Sequence, residues 1–239
     1  MLPELQLTLL AGECTTGVGL DTYEQCLDKE YFETYPYSVF YFFNQRGFRD
    51  NDWPSNIEKK IWCVGDSFTV GLGQPFEHIW PQQIDNSINV SMNGASNDWI
   101  ARKALYIIQN ANPSAVLIQW SYLHRRENPD YTLPDEMRMM QQDPSDVNDV
   151  GNFLKNIKLV ENNKKSIPVI HSFIPKFYNL EKESNENLTI YAELDNIGAV
   201  YFPNVEPIDL ARDSHHYGKE TALLYANKYL DLLEKIKYN

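Results

Sequence analysis

The chain is short of cysteine, of basic charge and of long apolar runs. Its 239 residues hold 3 cysteines, Cys14, Cys26 and Cys63, an odd number with no C-x-x-C pair. That spacing argues against a disulfide framework and against a thiolate zinc site, and reads as free thiols in a reducing compartment. Lys and Arg together number 21 against 33 Asp and Glu, a net charge of -12. A surface this acidic repels phosphate backbones and anionic headgroups, so neither nucleic acid nor a membrane surface is expected as a partner. No apolar run approaches the ~20 residues that a spanning helix needs. The N-terminal MLPELQLTLLAGECTT has Glu4 where a secretory signal carries basic residues. A cytoplasmic protein, or one released without a signal peptide, is the expectation, and the sequons at Asn89 and Asn187 then carry no weight.

What is present is a globular composition, 43% apolar and 23% charged, of a length that suits one well-buried domain. Five short apolar runs rich in β-branched residues read as buried strands: 61–64 ending in Gly65, 88–92, 115–120, 167–171 and 198–202. Between them, residues near 76–86, 97–110 and 147–162 carry apolar positions three and four apart, as helices do. Trp99, Ala101, Ala104, Leu105 and Ile108 make the clearest stripe, with Asn97 or Asp98 placed to cap it. A last helix is expected from Gly218 to Ile236, through Leu223, Leu224, Ala226, Tyr229, Leu230 and Leu233. Strands alternating with helices imply crossover connections and a parallel sheet covered on both faces. Residues 122–146, charged and Pro-containing, read as a rim or lid. Residues 1–59 break the alternation and read as an irregular, aromatic-rich N-terminal arm packed on a domain of residues 60–239. Within the arm, Gly12-Glu13-Cys14-Thr15-Thr16-Gly17 has no convincing strand before it and reads as arm packing.

Two motifs carry chemistry. Gly65-Asp66-Ser67-Phe68-Thr69-Val70-Gly71 follows the first strand directly, where an α/β sheet binds ligands. There a serine hydroxyl can be exposed while turn N–H groups point at an oxyanion. Taken alone, the same glycine-rich turn could instead bind phosphate, with Ser67 as a helix cap. The G-x-S-x-G elbow of the α/β-hydrolases is absent. Near the other end, Asp213-Ser214-His215-His216-Tyr217-Gly218 follows the fifth strand and precedes the last helix. A nucleophilic serine needs a base, and the base needs an acid to fix its tautomer. Asp213 and His216 can supply both from one turn and return to the edge that holds Ser67. His215 is the competing base. His78, His124 and His171 have no metal-ligand spacing, so no metal and no other cofactor is expected.

Gly-Asp-Ser early, Asp-x-x-His late and an α/β chain between them resemble the SGNH/GDSL hydrolases. The resemblance spans roughly residues 44–235. Residues 44–50 (NQRGFRD), then GDSFTVGLG, then Trp80-Pro81, are similar to the bacterial and phage branch active on decorated polysaccharides. The resemblance implies a flavodoxin-like three-layer α/β/α sandwich with a parallel sheet of about five strands. It implies Ser67 as nucleophile and Asp213 and His216 as its partners, with N–H groups of Ser67 and Gly94 as oxyanion donors. It also places Asp66 at the oxyanion or substrate site. Two positions depart from the family pattern. Tyr217 stands where a proline usually follows the histidine, and Gln119-Trp120-Ser121-Tyr122 stands where G-x-N-D usually follows the third strand. Ser121 or Asn97 could replace the missing Asn as donor.

The function expected is that of a serine esterase hydrolysing small acyl esters, acetyl above all, on a small molecule or a glycan. An O-acyltransferase with the same triad and a non-catalytic glycan-binding module of the same fold are the alternatives. Arg125-Arg126-Glu127, after the third strand, could anchor a substrate carboxylate, but a solvated, self-paired loop is the expectation.

Overall fold

The computed structural model describes residues 2–128, 130, 132–141, 148–175 and 184–237. The N-terminal part contains an antiparallel pair, β1 (Cys14–Thr15) with β2 (Tyr41–Phe42), and a short helix α1 (Lys29–Thr34). The central sheet starts at β3 (Ile61–Gly65), which runs into a single-turn helix α2 (Ser67–Val70). It continues with β4 (Ser87–Ser91), helix α3 (Asn97–Asn110) and β5 (Ala115–Trp120). A ribbon of β6 (Arg125–Glu127) and β7 (Met139–Gln141) intervenes. Helix α4 (Asp149–Glu161), β8 (Val169–Phe173), helix α5 (Ser184–Asn196), β9 (Val200–Tyr201) and helix α6 (Lys219–Lys237) complete the chain.

The five central strands are all parallel, in the order β4-β3-β5-β8-β9. Numbered within the sheet this is 2-1-3-4-5, the flavodoxin order, whose switch point lies between its first and third strands. Here that point falls between β3 and β5. Alternation of side chains along each strand decides which layer each residue joins. Trp62 and Val64 of β3, with Val116, Ile118 and Trp120 of β5, enter the core shared with α3 and α4. Cys63 and Leu117 point the other way, into a core with Trp80 and α6. Burial on both faces explains why these strands read as unbroken apolar runs.

Several details differ from the sequence expectation. Residues near 76–86 form two 3₁₀ turns, Phe76–His78 and Trp80–Gln83, rather than an α-helix. Pro81, inside the second, withholds the N–H that a continuous helix over these residues would need at its middle. Helix α3 is capped by Ser96, whose side chain accepts from Trp99 N–H at 3.1 Å, not by Asn97 or Asp98. Helix α6 buries Ala222, Tyr225, Ala226, Tyr229 and Leu233, while Leu223 and Leu230 face outward. Helix α5 had no counterpart in the sequence reading, because its 13 residues are mostly polar and bury only Ile190 and Leu194 among those described. Cys14, Cys26 and Cys63 are all free.

The N-terminal residues are tied to the sheet at both ends. Leu2, Leu5, Leu7 and Phe48 lie in the α3-side core. The fully buried Arg49 guanidinium donates to the carbonyls of Phe40, Val70, Gly71 and Gln74 at 3.1, 3.1, 2.5 and 2.6 Å, gripping the exit of α2. Beside it, Asp50 accepts from Trp53 Nε1, Gln82 Nε2 and the Asn89 N–H at 3.0, 3.0 and 2.9 Å. Burial pushes its carboxyl up to about 6, against these donors.

Part of the segment expected as a rim or lid docks along α3, while Tyr122 at its start reaches His215. Arg102 pairs with Glu127 and Asp135 at 2.5 and 3.0 Å, and Lys103 with Asp135 at 2.6 Å. Residues 129, 131 and 142–146 of that segment lie outside the described residues. Arg125 and Arg126, expected in a solvated, self-paired loop, are partly buried and reach Asp66 at 3.1 Å and Asp149 at 2.8 Å, two fully buried carboxylates. Among the described residues, no helix is long and apolar enough to cross a membrane.

Candidate active site

Ser67 opens α2 at the carboxyl end of β3, beside the switch point. The turn that carries it depends on glycine twice. A Cβ on Gly65 would lie 2.0 Å from Thr69 Oγ1 and 3.0 Å from the Gln119 carbonyl. Gly71 closes the helix at φ 73°, donating its N–H to the Ser67 carbonyl. Asp66 is the N-cap and is fully buried: one carboxylate oxygen takes the Phe68 N–H at 3.0 Å, the other takes Ser121 Oγ–H at 2.6 Å and Arg125 Nη1 at 3.1 Å.

The Asp213–His216 segment is a tight loop closed by Ser214 N–H to Ala211 O and Ala211 N–H to His216 O. Ser214 takes φ 56°, unusual for a residue with a Cβ. The loop brings three buried groups into line. His216 Nε2 is 2.9 Å from Ser67 Oγ, and His216 Nδ1 is 2.5 Å from Asp213 Oδ2. Because a carboxylate only accepts, Nδ1 carries the hydrogen and Nε2 is left to accept from the serine. The other Asp213 oxygen accepts the N–H groups of His215 and His216 at 3.0 and 2.9 Å. Burial pushes the Asp213 carboxyl up, but the His216 imidazole and these two N–H donors outweigh it and hold it below the usual carboxylate range. Phe68 packs against the His216 ring with centroids 4.5 Å apart.

His215 points elsewhere. Its Nε2 lies 3.1 Å from Tyr122 Oη, and burial, together with the neighbouring His216, pulls its imidazole down to about 4. Phe68, Tyr122, Pro175, Pro207, Leu210 and His215, with Ser214, line a cavity of about 220 Å³ next to the His216 turn. Larger hollows lie away from it, about 640 Å³ at the opposite end of the sheet and about 580 Å³ on the outer side of α3.

Gly94 occupies the turn 92–95 at φ 72°, closed by Ala95 N–H to Met92 O and seated beside the serine turn by Met92 N–H to Gly65 O. Asn97 and Ser121 prove to be braces. The Asn97 side chain clamps the residues after β5, accepting Ser121 N–H at 3.0 Å and donating to Tyr122 O at 2.9 Å. The single hydroxyl proton of Ser121 goes to Asp66, so that hydroxyl is not a donor to an oxyanion. Asp66, sealed from solvent and itself only an acceptor, likewise supports the turn rather than touching a substrate. Tyr217, at the usual proline position, stacks on Tyr225 and accepts from Gln119 Nε2 at 3.0 Å; Gln119 in turn accepts Thr69 Oγ1–H at 2.9 Å, which ties α2, β5 and the histidine loop together.

Contacts that no sequence motif signals hold this loop from the N-terminal side. Asp21, fully buried, accepts from Arg212 Nε and Nη2 at 2.8 and 2.7 Å, and Tyr31 Oη donates to Leu210 O at 2.9 Å. Partners nearly two hundred residues apart leave no local pattern to read. Among the described residues, no three His, Cys, Asp or Glu side chains gather as a metal ion would need.

No protein-family model matches the chain, and no curated protein does. Solved structures do match by shape. A psychrotrophic esterase from Pseudoalteromonas sp. superposes with TM-score 0.50 at 15% identity, over 76% of this chain and 100% of that one. A carbohydrate esterase family 2 enzyme with a carbohydrate-binding domain, from Corynascus thermopiles (Myceliophthora fergusii), superposes with TM-score 0.53 at 12% identity, over 84% of this chain and 72% of that one. The flavodoxin strand order and these superpositions agree: the chain has the SGNH/GDSL-type hydrolase fold.

Proposed function

We propose that the protein is a serine esterase that removes small acyl groups, acetyl above all, from a carbohydrate hydroxyl. The observation that carries this reading is the buried line Ser67 Oγ–His216 Nε2 at 2.9 Å and His216 Nδ1–Asp213 Oδ2 at 2.5 Å. Ser67 Oγ attacks the ester carbonyl as its proton passes to His216 Nε2. Asp213 keeps the Nδ1–H tautomer and stabilises the imidazolium that forms. The negative oxygen of the tetrahedral intermediate is held by the N–H of Ser67, at the first turn of α2, and by that of Gly94 on the adjacent rim. His216 returns the proton to the leaving alcohol. Water then repeats the sequence on the acyl-enzyme, regenerating Ser67 and releasing the carboxylic acid.

Two features support a small acyl group and a neutral partner. The cavity beside the histidine loop is confined to about 220 Å³ and walled largely by aromatic, proline and leucine side chains. The net charge of -12 disfavours an anionic substrate. A carbohydrate partner is supported by the likeness to the carbohydrate esterase from Corynascus. Purified protein is tested on p-nitrophenyl acetate, butyrate and octanoate and on an acetylated xylan with acetate release as readout. The reading expects turnover of acetate and butyrate, little of octanoate, and loss of all turnover in Ser67→Ala. Unchanged turnover in that variant would overturn it.

A further inference from the structure

The loop that holds Asp213 and His216 is anchored by a chain of hydrogen bonds from the N-terminal residues. Arg212, the residue before Asp213, presents its guanidinium fork to Asp21, at 2.8 Å for Nε–Oδ1 and 2.7 Å for Nη2–Oδ2. The same carboxylate accepts Tyr41 Oη–H at 2.6 Å, and Tyr41 Oη accepts the Gly73 N–H at 2.8 Å. Gly73 closes the circuit, because its carbonyl accepts the Arg212 N–H at 3.0 Å. Gly73 ends the GDSFTVGLG stretch, and at φ 74° its missing Cβ would sit 2.7 Å from Ala211 Cβ and 3.0 Å from Arg212 N. A closed ring therefore joins Asp21, Tyr41, Gly73 and Arg212, with the serine turn on one side and the acid of the line on the other.

Asp21 and Tyr41 are fully buried, and the Arg212 side chain is only 14% exposed. The Arg212 fork also lies over the Phe32 ring at 4.5 Å and donates to Thr16 O at 3.0 Å. Asp21, Tyr41, Phe32 and Thr16 all precede residue 44, ahead of the stretch that resembles the hydrolase family. A paired, two-point fork in a water-poor setting fixes direction as well as distance.

We infer that Asp21, acting through Arg212, is a positioning residue for Asp213, so that the N-terminal arm is part of the machinery that sets the geometry of the Ser67–His216–Asp213 line. The inference rests on the esterase reading above. Removing the Asp21 charge frees Arg212, the 211–213 backbone relaxes away from Gly73, and Asp213 no longer meets His216 Nδ1 squarely. A displacement on the order of 1 Å costs about a hundredfold in rate, while Phe68, Tyr122, Pro175 and Pro207 of the cavity lie outside that loop and limit the change in affinity.

The test is a double-mutant cycle on the full chain with p-nitrophenyl acetate, with thermal melting used to correct for the folded fraction. Asp21→Asn is expected to lower kcat by about ten- to a hundredfold and to leave KM within about threefold. In an Asp213→Asn background the same change is expected to cost no further kcat, because its effect passes through Asp213. Tyr41→Phe, which removes one bridging hydroxyl and keeps the ring, is expected to give a smaller fall of the same kind should Asp21→Asn fold poorly. A kcat unchanged in the folded fraction of both variants, or effects of Asp21→Asn and Asp213→Asn that multiply, would overturn the inference. Ser67→Ala, assayed alongside, separates the two levels: if it keeps its turnover, the esterase reading has failed and this inference with it.

Discussion

Replacing Asp213 by Asn changes one atom, and the structure states what that atom does. Two donors, the N–H groups of His215 and His216, point at Asp213 Oδ1 from 3.0 and 2.9 Å, while Oδ2 takes the Nδ1–H of His216 at 2.5 Å. In the Asp213→Asn variant only one end of the side chain can accept. Turning the amide nitrogen toward the loop would set it against two backbone donors and leave both unpaired, at about 1–3 kcal/mol each. Turning it toward His216 loses one interaction and can be accommodated by a tautomer change. The second arrangement wins, so the amide donates to Nδ1 and the imidazole hydrogen moves to Nε2. His216 then donates to Ser67 Oγ and cannot accept its proton. A fold-preserving loss of about ten-thousandfold in kcat is expected, on the order of 5.5 kcal/mol of barrier. Steady-state hydrolysis of p-nitrophenyl acetate measures it, with thermal melting as control for the fold. If the folded variant keeps more than about a tenth of the wild-type kcat, the assignment of roles to Asp213 and His216 is wrong.

Further outcomes follow from neighbouring groups. His215→Gln removes the competing imidazole, which burial holds near 4 and which points at Tyr122; kcat is expected to fall by no more than about tenfold, against about a thousandfold or more for His216→Gln in the same ester assay. Asp50, its carboxyl pushed up to about 6 by burial, ionises more readily when unfolded than when folded. Wild type should therefore lose up to about 3 kcal/mol relative to Asp50→Asn as pH rises from about 4 to 7; urea titrations across that range read the change, and a flat difference would contradict it. Gly73→Ala places a methyl against the Ala211–Arg212 backbone at φ 74°. It is expected to cost about 1–3 kcal/mol, seen as a lowered Tm, and to reduce kcat in the folded fraction as well.

The parts of this molecule that could be read in the sequence are those whose determinants are local. Runs such as Ala115–Trp120 are apolar throughout because both faces of β5 are covered, and the Asp213–His216 loop carries acid, base and tight turn within four residues. Ser67 was placed by the Gly–Asp–Ser turn that its own strand demands. What escaped depends on distance or on competing periodicity. Apolar residues three apart suit a 3₁₀ turn as well as an α-helix, and Pro81 decides between them around Trp80. Helix α5 presents too few apolar residues to show a stripe. Asn97, Ser121 and Asp66 are polar residues near Ser67, and sequence alone does not reveal that they bind one another and Arg125. Asp21 finds Arg212 from 191 positions away.

The most direct test of the central claim is covalent. Incubation with a fluorophosphonate probe, followed by mass analysis of the labelled peptide, asks whether Ser67 is an activated nucleophile. Stoichiometric labelling at Ser67, abolished in His216→Gln, is the expected result; an unlabelled, folded protein, or a label on another serine, would contradict it.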